Sequence, residues 1–560
     1  MNQSTLISRS VLQTLISAGV TTVVVSPGSR SAGLAIAAAS ASQAGVIDLH
    51  VRIDEREAGF LALGIAKESR KPVAVIVTSG TAVANLMPAV VEANYSAIPL
   101  VLITADRPEA VRFSGASQTI NQVPMFLPYV RAVVDLEVEA TLKDVEDLAN
   151  TIDAALSGRR GPIHVNVQMD MPIVPDALDD TWLPRPTEHS ASVHVMSANT
   201  HDNDVAIEVD ARGLMIVGDC ANGNLITQAA IMAQRLGWPI IWEPSANIHN
   251  AAMALDHGPL ICPSLPTPEF VVTIGTVGLS RSTLAILKKT QCHIAIHDES
   301  SGPNLPNPVL SASEILDYLP NYVSSPEPSW LALWKSADDN AKAVVSAALA
   351  EHGLTSAAAA VQLWNHIPDG DALVLGASWP VRHVELYAPA RTGVTVYGNR
   401  GVNGIDGLIS TAYGIALART RTHGKLSRTY LCLGDISFLY GMGGLLDSGE
   451  PRPNLTIVVL DNDGGGIFSQ LEQGQPEHAQ HFEQIFATPQ GRDLWVVAEA
   501  LGVAATRVTS PQEMQKALEY SDSIPGLHVI VCSGATRNND MKIIDEISSG
   551  VNAVLKNLTE

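Results

Sequence analysis

The chain of 560 residues carries 57 acidic against 35 basic side chains, a net charge of −22, with 46% hydrophobic and 16% charged residues. This balance describes a globular protein with ample core and argues against nucleic acid or an anionic membrane as partner. Small anionic ligands stay open wherever arginines concentrate, and at roughly 150 residues per domain the length implies about three or four domains.

No apolar run approaches the ~20 residues that span a bilayer, so no membrane span is expected. The start, MNQSTLISRSVLQTLISAGV, lacks a basic leader and a small-residue cleavage site, and reads as an amphipathic helix, not a signal peptide. Cys220, Cys262, Cys292, Cys432 and Cys532 form no CxxC pair. They predict a reducing, cytoplasmic setting and no structural zinc.

Residues 1–180 alternate strand and helix. Strands are expected at Val23–Val25, Val46–Ile53, Val73–Val77 and Leu100–Thr104, with helices after Ser31, over Ala58–Lys67 and from Thr81 to Ala93. Each strand ends in a polar cluster: Ser26-Pro27-Gly28-Ser29-Arg30-Ser31, Asp54-Glu55-Arg56, Thr78-Ser79-Gly80-Thr81 and Ala105-Asp106-Arg107-Pro108. Some of these residues are helix caps; together they mark the edge where open α/β sheets bind ligands. A linker at Pro172–Pro175 and a polar stretch at 187–206 lead to a second α/β unit over 207–325. Its strands are expected at Gly213–Val217, Trp238–Trp242, Val271–Ile274 and His293–Ile296, the last entering His297-Asp298. Gly218-Asp219-Cys220 does not complete a GxGxxG fingerprint, which argues against a dinucleotide there. Beyond Ser324-Ser325-Pro326-Glu327-Pro328, the third unit places strands at Leu373–Leu375, Val394–Tyr397, Tyr430–Leu433, Leu455–Leu460 and His528–Val531.

The stretch Gly434–Phe468 carries the chemistry. One apolar run stops at Gly434-Asp435 and a second at Asp461-Asn462-Asp463, followed by three glycines. Asp435 and Asn462 thus stand at neighbouring strand ends, one hard carboxylate and one hard amide oxygen. Mg²⁺ favours a few such ligands plus a substrate phosphate, and the glycines allow a close backbone approach to a diphosphate. Two ordinary βα turns with Asx caps would read the same way.

A Gly-Asp pair followed 27 residues later by a strand-end Asn (462 − 435) resembles the diphosphate motif of thiamine diphosphate (ThDP) enzymes, with Gly-Asp-Ile in place of the usual Gly-Asp-Gly. Further strings sharpen the resemblance: SPGSRS, RIDEREAGFLALGIAK, VTSGTAVANLMPAVVEA, TADRPE, GASQTINQ, GASWPVRH, GNRGVNGIDGLISTAYG and DNDGGGIF. They are similar to the menaquinone-pathway branch of that family, over both outer domains in order, and that branch tolerates an apolar residue after the Asp.

The resemblance implies an α/β protein of three doubly wound parallel-sheet domains with pyruvate oxidase/decarboxylase-like architecture. These would be a pyrimidine-binding domain at 1–185, a central domain at 186–344 and a diphosphate-binding domain at 345–560. It implies decarboxylation of 2-oxoglutarate and conjugate addition of the resulting carbanion equivalent to isochorismate. Asp435, Asn462 and the carbonyl of Gly464 would hold Mg²⁺, with Mn²⁺ as a possible replacement. Glu55 would be the catalytic glutamate that meets N1′ of the aminopyrimidine, and Ile405 the apolar prop under the cofactor. Pro27, Ser378, Gly401, Gly434, Ile436, Ser437, Gly465, Gly466, Ile467 and Phe468 would line the cofactor, the last two also touching substrate. Ser29, Arg30, Arg107, Gln118, Arg382 and Arg400 would grip substrate carboxylates, which suits arginine's planar fork. Arg281 is a weaker candidate. Asp54, Arg56 and Asp406 read as supporting residues, and His383 as a local hydrogen-bond partner. In that family the cofactor lies between the first domain of one subunit and the third of another, which implies a homodimer or dimer of dimers. Another ThDP 2-oxoacid decarboxylase or carboligase is the alternative reading. A catalytically silent scaffold is disfavoured because Glu55, Asp435 and Asn462 are all present.

Overall fold

The computed structural model describes residues 1–157, 160–177, 181–183, 207–209, 212–220, 222–297, 314–325 and 327–559. The polar stretch 187–206, the boundary at 185/186, Asp298 and Pro326 lie outside the described residues. The chain forms two compact units. One comprises Met1–Ala198, Asn399–Leu426 and Gly441–Pro453; the other comprises Asn199–Gly398, Ser427–Tyr440 and Asn454–Glu560.

The first unit is built on six parallel strands: β1 (Thr22–Val25), β2 (Asp48–Val51), β3 (Val73–Val77), β4 (Leu100–Asp106), β5 (Val133–Leu136) and β6 (Ile163–Gln168). Their order is β2-β1-β3-β4-β6-β5. β1, β3 and β4 are buried along their whole length, the reason they read as near-continuous apolar runs. β6, IHVNVQ, alternates like a half-exposed strand and yet is buried at all six positions. Its polar residues are paired: Thr104 Oγ1 lies 2.7 Å from His164 Nε2, and Asn166 Oδ1 accepts from Thr104 Oγ1 at 2.9 Å and from Gln122 Nε2 at 2.7 Å.

The helix Glu55–Ser69 starts where Asp54 accepts the N–H groups of Arg56 and Glu57. Helix Leu408–Thr422 packs along it. A Cβ on Gly64 would lie 2.0 Å from the Thr411 carbonyl oxygen, and one on Gly414 would lie 2.2 Å from that of Leu61. Only glycine permits this backbone-to-backbone contact, and it draws 399–426 into the first unit. The expected helix from Thr81 to Ala93 is two helices, Thr81–Asn85 and Met87–Tyr95, separated at Leu86 beside Pro88.

In the second unit β7 (Ile207–Glu208) pairs with β13 (Tyr322–Val323). A five-stranded parallel sheet contains β8 (Gly213–Val217), β9 (Ile240–Trp242), β10 (Phe270–Ile274), β11 (Cys292–Ile296) and β12 (Glu314–Leu316), ordered β12-β11-β10-β8-β9. A six-stranded parallel sheet contains β14 (Ala372–Leu375), β15 (Thr395–Tyr397), β16 (Thr429–Gly434), β17 (Leu455–Leu460), β18 (Ala504–Val508) and β19 (Leu527–Cys532). Its order, β15-β14-β16-β17-β19-β18, repeats the connectivity of the first unit's sheet. In both sheets the order reverses beside the first strand, at β1/β3 and at β14/β16. Ligands of open α/β sheets bind at such switch points, beyond the carboxyl ends of the strands.

Among the described residues no single helix is long and apolar enough to cross a membrane. Helices Pro328–Glu351 and Ser356–His366 pass that test only together, with a bend of 109°; both bury residues in the core.

Candidate active site

In the second unit, β16 runs straight into the short helix Asp435–Tyr440, and its pairing with β17 sets Gly434 beside Leu460. Asp435 and the segment 461–466 are thereby neighbours. Asp435 is 6% exposed. Its Oδ2 accepts the Gly464 N–H at 2.6 Å and its Oδ1 the Ile436 N–H at 2.7 Å. Burial pushes this carboxyl up to about 7; Asp461 and Asp463 add to the effect and the two peptide hydrogen bonds oppose it. Asn462 is 8% exposed and donates from Nδ2 to Asp540 Oδ2 at 2.7 Å. A carboxylate only accepts, so the amide oxygen is the end turned away from Asp540. Gly464 has φ +135°, and a Cβ there would lie 2.2 Å from the Ala487 carbonyl oxygen. Its own carbonyl accepts the Gly466 N–H at 2.9 Å.

This donor set fits a small, hard divalent cation. It offers a buried carboxylate short of positive charge, an amide oxygen and a carbonyl, all from adjacent strand ends.

Around this set, Ile436, Ile467 and Phe468 are half-buried and Ser437 is buried. The Phe468 ring packs 5.9 Å from that of Phe486. Ser378, just beyond β14, holds φ 75° and ψ −133°. Such a conformation is strained for a residue with a side chain and collects at functional sites. Its carbonyl accepts Arg382 Nη1 at 2.8 Å. His383 differs from expectation. It is buried between Trp379 and Tyr387, at ring distances of 5.5 and 5.8 Å, and its Nε2 has no hydrogen-bond partner among the described residues. Burial, aided by Arg382, holds its pKa down to about 3, so the imidazole is a neutral packing group. Arg281 is exposed at the start of helix Arg281–Leu287.

In the first unit, the ends of β1, β3 and β4 gather the other predicted residues. Pro27 and Ser29 are exposed. Arg30 is half-buried and donates from Nη1 to the Met169 carbonyl at 2.9 Å. Burial and the nearby Arg107 guanidinium lower its pKa, against Asp170 and Asp106. Arg107 donates from Nε to the Ser117 carbonyl at 3.0 Å. Gln118, at φ 58°, donates from Nε2 to the Ser79 carbonyl at 3.1 Å, and its own carbonyl accepts Ser79 Oγ at 2.9 Å. Glu55 is half-buried, with Oε2 accepting Asn85 Nδ2 at 3.3 Å. Arg400, Gly401, Ile405 and Asp406 are half-buried in the loop before helix Leu408–Thr422.

Three buried acids that support these residues were not singled out from the sequence. Glu57 accepts Ser410 Oγ at 2.5 Å and Arg56 Nη2 at 3.0 Å; burial raises its pKa against these partners. Glu92, 1% exposed, accepts the N–H groups of Gly401 at 3.0 Å and Val402 at 2.9 Å, Ser96 Oγ at 2.7 Å and Lys67 Nζ at 3.3 Å. It therefore anchors the loop that carries Arg400. Asp540 holds Asn462. Apart from Arg56 beside Glu57 and Ser96 four residues after Glu92, the partners of these acids lie far away in sequence, so nothing local marks their role.

The family model described as thiamine pyrophosphate enzyme, N-terminal TPP binding domain, matches residues 7–125, and its C-terminal TPP binding domain counterpart matches 379–532. The 2-succinyl-5-enolpyruvyl-6-hydroxy-3-cyclohexene-1-carboxylate synthase of Saccharopolyspora erythraea is 38% identical over 95% of this chain and 95% of its own. That of Nocardia farcinica is 37% identical over 95% and 96%. Among solved structures, benzoylformate decarboxylase from Polynucleobacter necessarius superposes with a TM-score of 0.67 at 18% identity, covering 96% of this chain and 99% of that one. A putative thiamin diphosphate-dependent enzyme from Mycobacterium smegmatis gives 0.63 at 16%, over 93% and 98%. These two share the α/β fold of parallel sheets.

Proposed function

Because this chain belongs to the family of 2-succinyl-5-enolpyruvyl-6-hydroxy-3-cyclohexene-1-carboxylate synthases, with the N- and C-terminal binding domains of ThDP enzymes, we propose that it makes that product. The substrates are 2-oxoglutarate and isochorismate, with release of CO₂, in menaquinone biosynthesis. The observation that carries this reading is the buried Asp435–Asn462–Gly464 donor set in a chain 38% identical to a relative of that name over nearly its full length.

Asp435, Asn462 and the Gly464 carbonyl hold Mg²⁺, or Mn²⁺ in its place. Gly434, Ile436, Ser437, Gly465, Gly466, Ile467, Phe468 and Ser378, with Pro27, Gly401 and Ile405, line the cofactor. When bound, ThDP supplies stabilisation of the carbanion left by decarboxylation. Glu55 holds and exchanges a proton at N1′ of the aminopyrimidine. Ser29, Arg30, Arg107, Gln118, Arg382 and Arg400 orient the two dicarboxylates. Charge-assisted, paired hydrogen bonds from arginine supply the geometric specificity. Three domains, at 1–185, 186–344 and 345–560, assemble as a cytoplasmic homodimer or dimer of dimers, with cofactor bound between subunits.

The test is CO₂ release from 2-oxoglutarate with ThDP and Mg²⁺, with and without isochorismate. Fast release that needs isochorismate supports the synthase. Release from 2-oxoglutarate alone identifies a decarboxylase, and release from pyruvate instead leaves the cofactor right and the arginine assignments wrong.

A further inference from the structure

We propose that Asp540 is a positioning residue for the metal site, fixing the Asn462 amide so that its oxygen, not its nitrogen, is offered to the cation. This rests on the reading above that Asn462 is a ligand. Asp540 lies at the start of helix Arg537–Thr559 and is 1% exposed. Its Oδ1 accepts the Ser356 N–H at 2.8 Å. Its Oδ2 accepts Ser356 Oγ at 2.6 Å and Asn462 Nδ2 at 2.7 Å. An amide has nearly the same shape in both flips, and what chooses one is the donor and acceptor pattern around it. Here a carboxylate held on its other side by a backbone N–H makes the choice. Groups that orient metal ligands in this way are worth about 10- to 100-fold in metal affinity.

The geometry makes a demanding prediction for the isosteric Asp540→Asn. The Ser356 N–H belongs to the first turn of helix Ser356–His366 and cannot be inverted. It keeps the new amide's oxygen at the Oδ1 position, so the new NH₂ faces Asn462. Asn462 must then turn its own oxygen towards residue 540 and its nitrogen towards the cation. Asp540 also caps helix Ser356–His366, where a negative charge is favourable. A capping role alone would affect stability and leave the metal untouched.

The experiment titrates Mn²⁺ in the presence of ThDP, reading free Mn²⁺ by electron paramagnetic resonance, with thermal unfolding measured alongside. Asp540→Asn is expected to weaken Mn²⁺ by about 10-fold or more. The double variant Asn462→Asp/Asp540→Asn exchanges the two groups, so the new NH₂ meets a carboxylate whose second oxygen faces the cation. It is expected to recover most of that loss. Asn462→Asp alone sets two carboxylates against each other and should bind more weakly than the double variant, a comparison that stands even where Asp540→Asn fails to fold. Wild-type affinity in Asp540→Asn, or a double variant no better than either single one, overturns the proposal. Asn462→Ala separates the two readings. If it leaves Mn²⁺ affinity unchanged, Asn462 is not a ligand and both fall; if it weakens binding while Asp540→Asn does not, only the role of Asp540 falls.

Discussion

Asp435 ties the stability of the metal-free protein to pH. Its carboxyl is pushed up from 3.8 to about 7 by burial. Between those values the folded state holds a proton that the unfolded chain has released, so stability falls as pH rises. A gap of about 3 in pKa corresponds to ~4 kcal/mol, present in full below pH 4 and lost by pH 7–8. Glu57, Asp106, Asp461 and Asp540 are raised too and slope the same way. His164, His383 and His528, held near 4, 3 and 4, slope the other way. The informative quantity is therefore a difference. Urea unfolding midpoints of wild type and Asp435→Asn, both in EDTA, are compared at pH 5 and pH 8. The variant loses a hydrogen-bond acceptor, a roughly constant offset, but it should be less sensitive to the rise from pH 5 to pH 8 by about 2–3 kcal/mol, the part of the change that falls in the two pH units between 5 and about 7. Mg²⁺ with ThDP should stabilise wild type most at high pH, because the ion displaces the proton. Apparent Mg²⁺ affinity should fall about tenfold per pH unit below 7. Parallel pH dependences of wild type and variant would refute the reasoning.

Glu55→Gln should suppress turnover while leaving ThDP binding, followed by tryptophan fluorescence, mostly intact. Glu92→Gln should cost about 3–5 kcal/mol in urea unfolding, because it removes the carboxylate charge beside buried Lys67 and turns an NH₂ against a peptide N–H. Lys67→Met should cost less, since Glu92 keeps the two backbone N–H groups and Ser96; equal costs would contradict that arrangement. Gly464→Ala should abolish Mn²⁺ binding at concentrations that saturate wild type, since φ +135° and the Ala487 carbonyl at 2.2 Å exclude a methyl group.

Much of the fold was legible because buried parallel strands must be apolar on both faces. VVV at β1, VAVIV at β3 and LTIVVL at β17 announce themselves, and polar residues follow each directly. β5 and β18 are partly exposed and lack that run. β6 hides His164, Asn166 and Gln168 in a hydrogen-bonded layer, so its alternation does not mark a wet face and the strand was not singled out from the sequence. The donor set was legible for the opposite reason: two strand-end Asx residues and three glycines lie within one short stretch. The acids that hold such residues were not. Glu57 meets Ser410, Glu92 meets Gly401, and Asp540 meets Asn462, across 353, 309 and 78 residues of chain.

The two kinds of information correspond to two physical jobs. Repeating one strand order in two sheets brings loops to a switch point, and that requires only hydrophobic pattern and turns, which are local. Fixing an amide, or a loop that bears an arginine, requires an acceptor that does not move, and water cannot serve because it reorients. A buried carboxylate can serve, provided several donors offset its desolvation. Glu92 has four such donors and Asp540 three. Removing one partner therefore leaves the acid tolerable, whereas removing the acid takes a shared acceptor from all of these donors at once. The residues least visible in the sequence are for that reason the ones whose loss should disturb this site over the longest range.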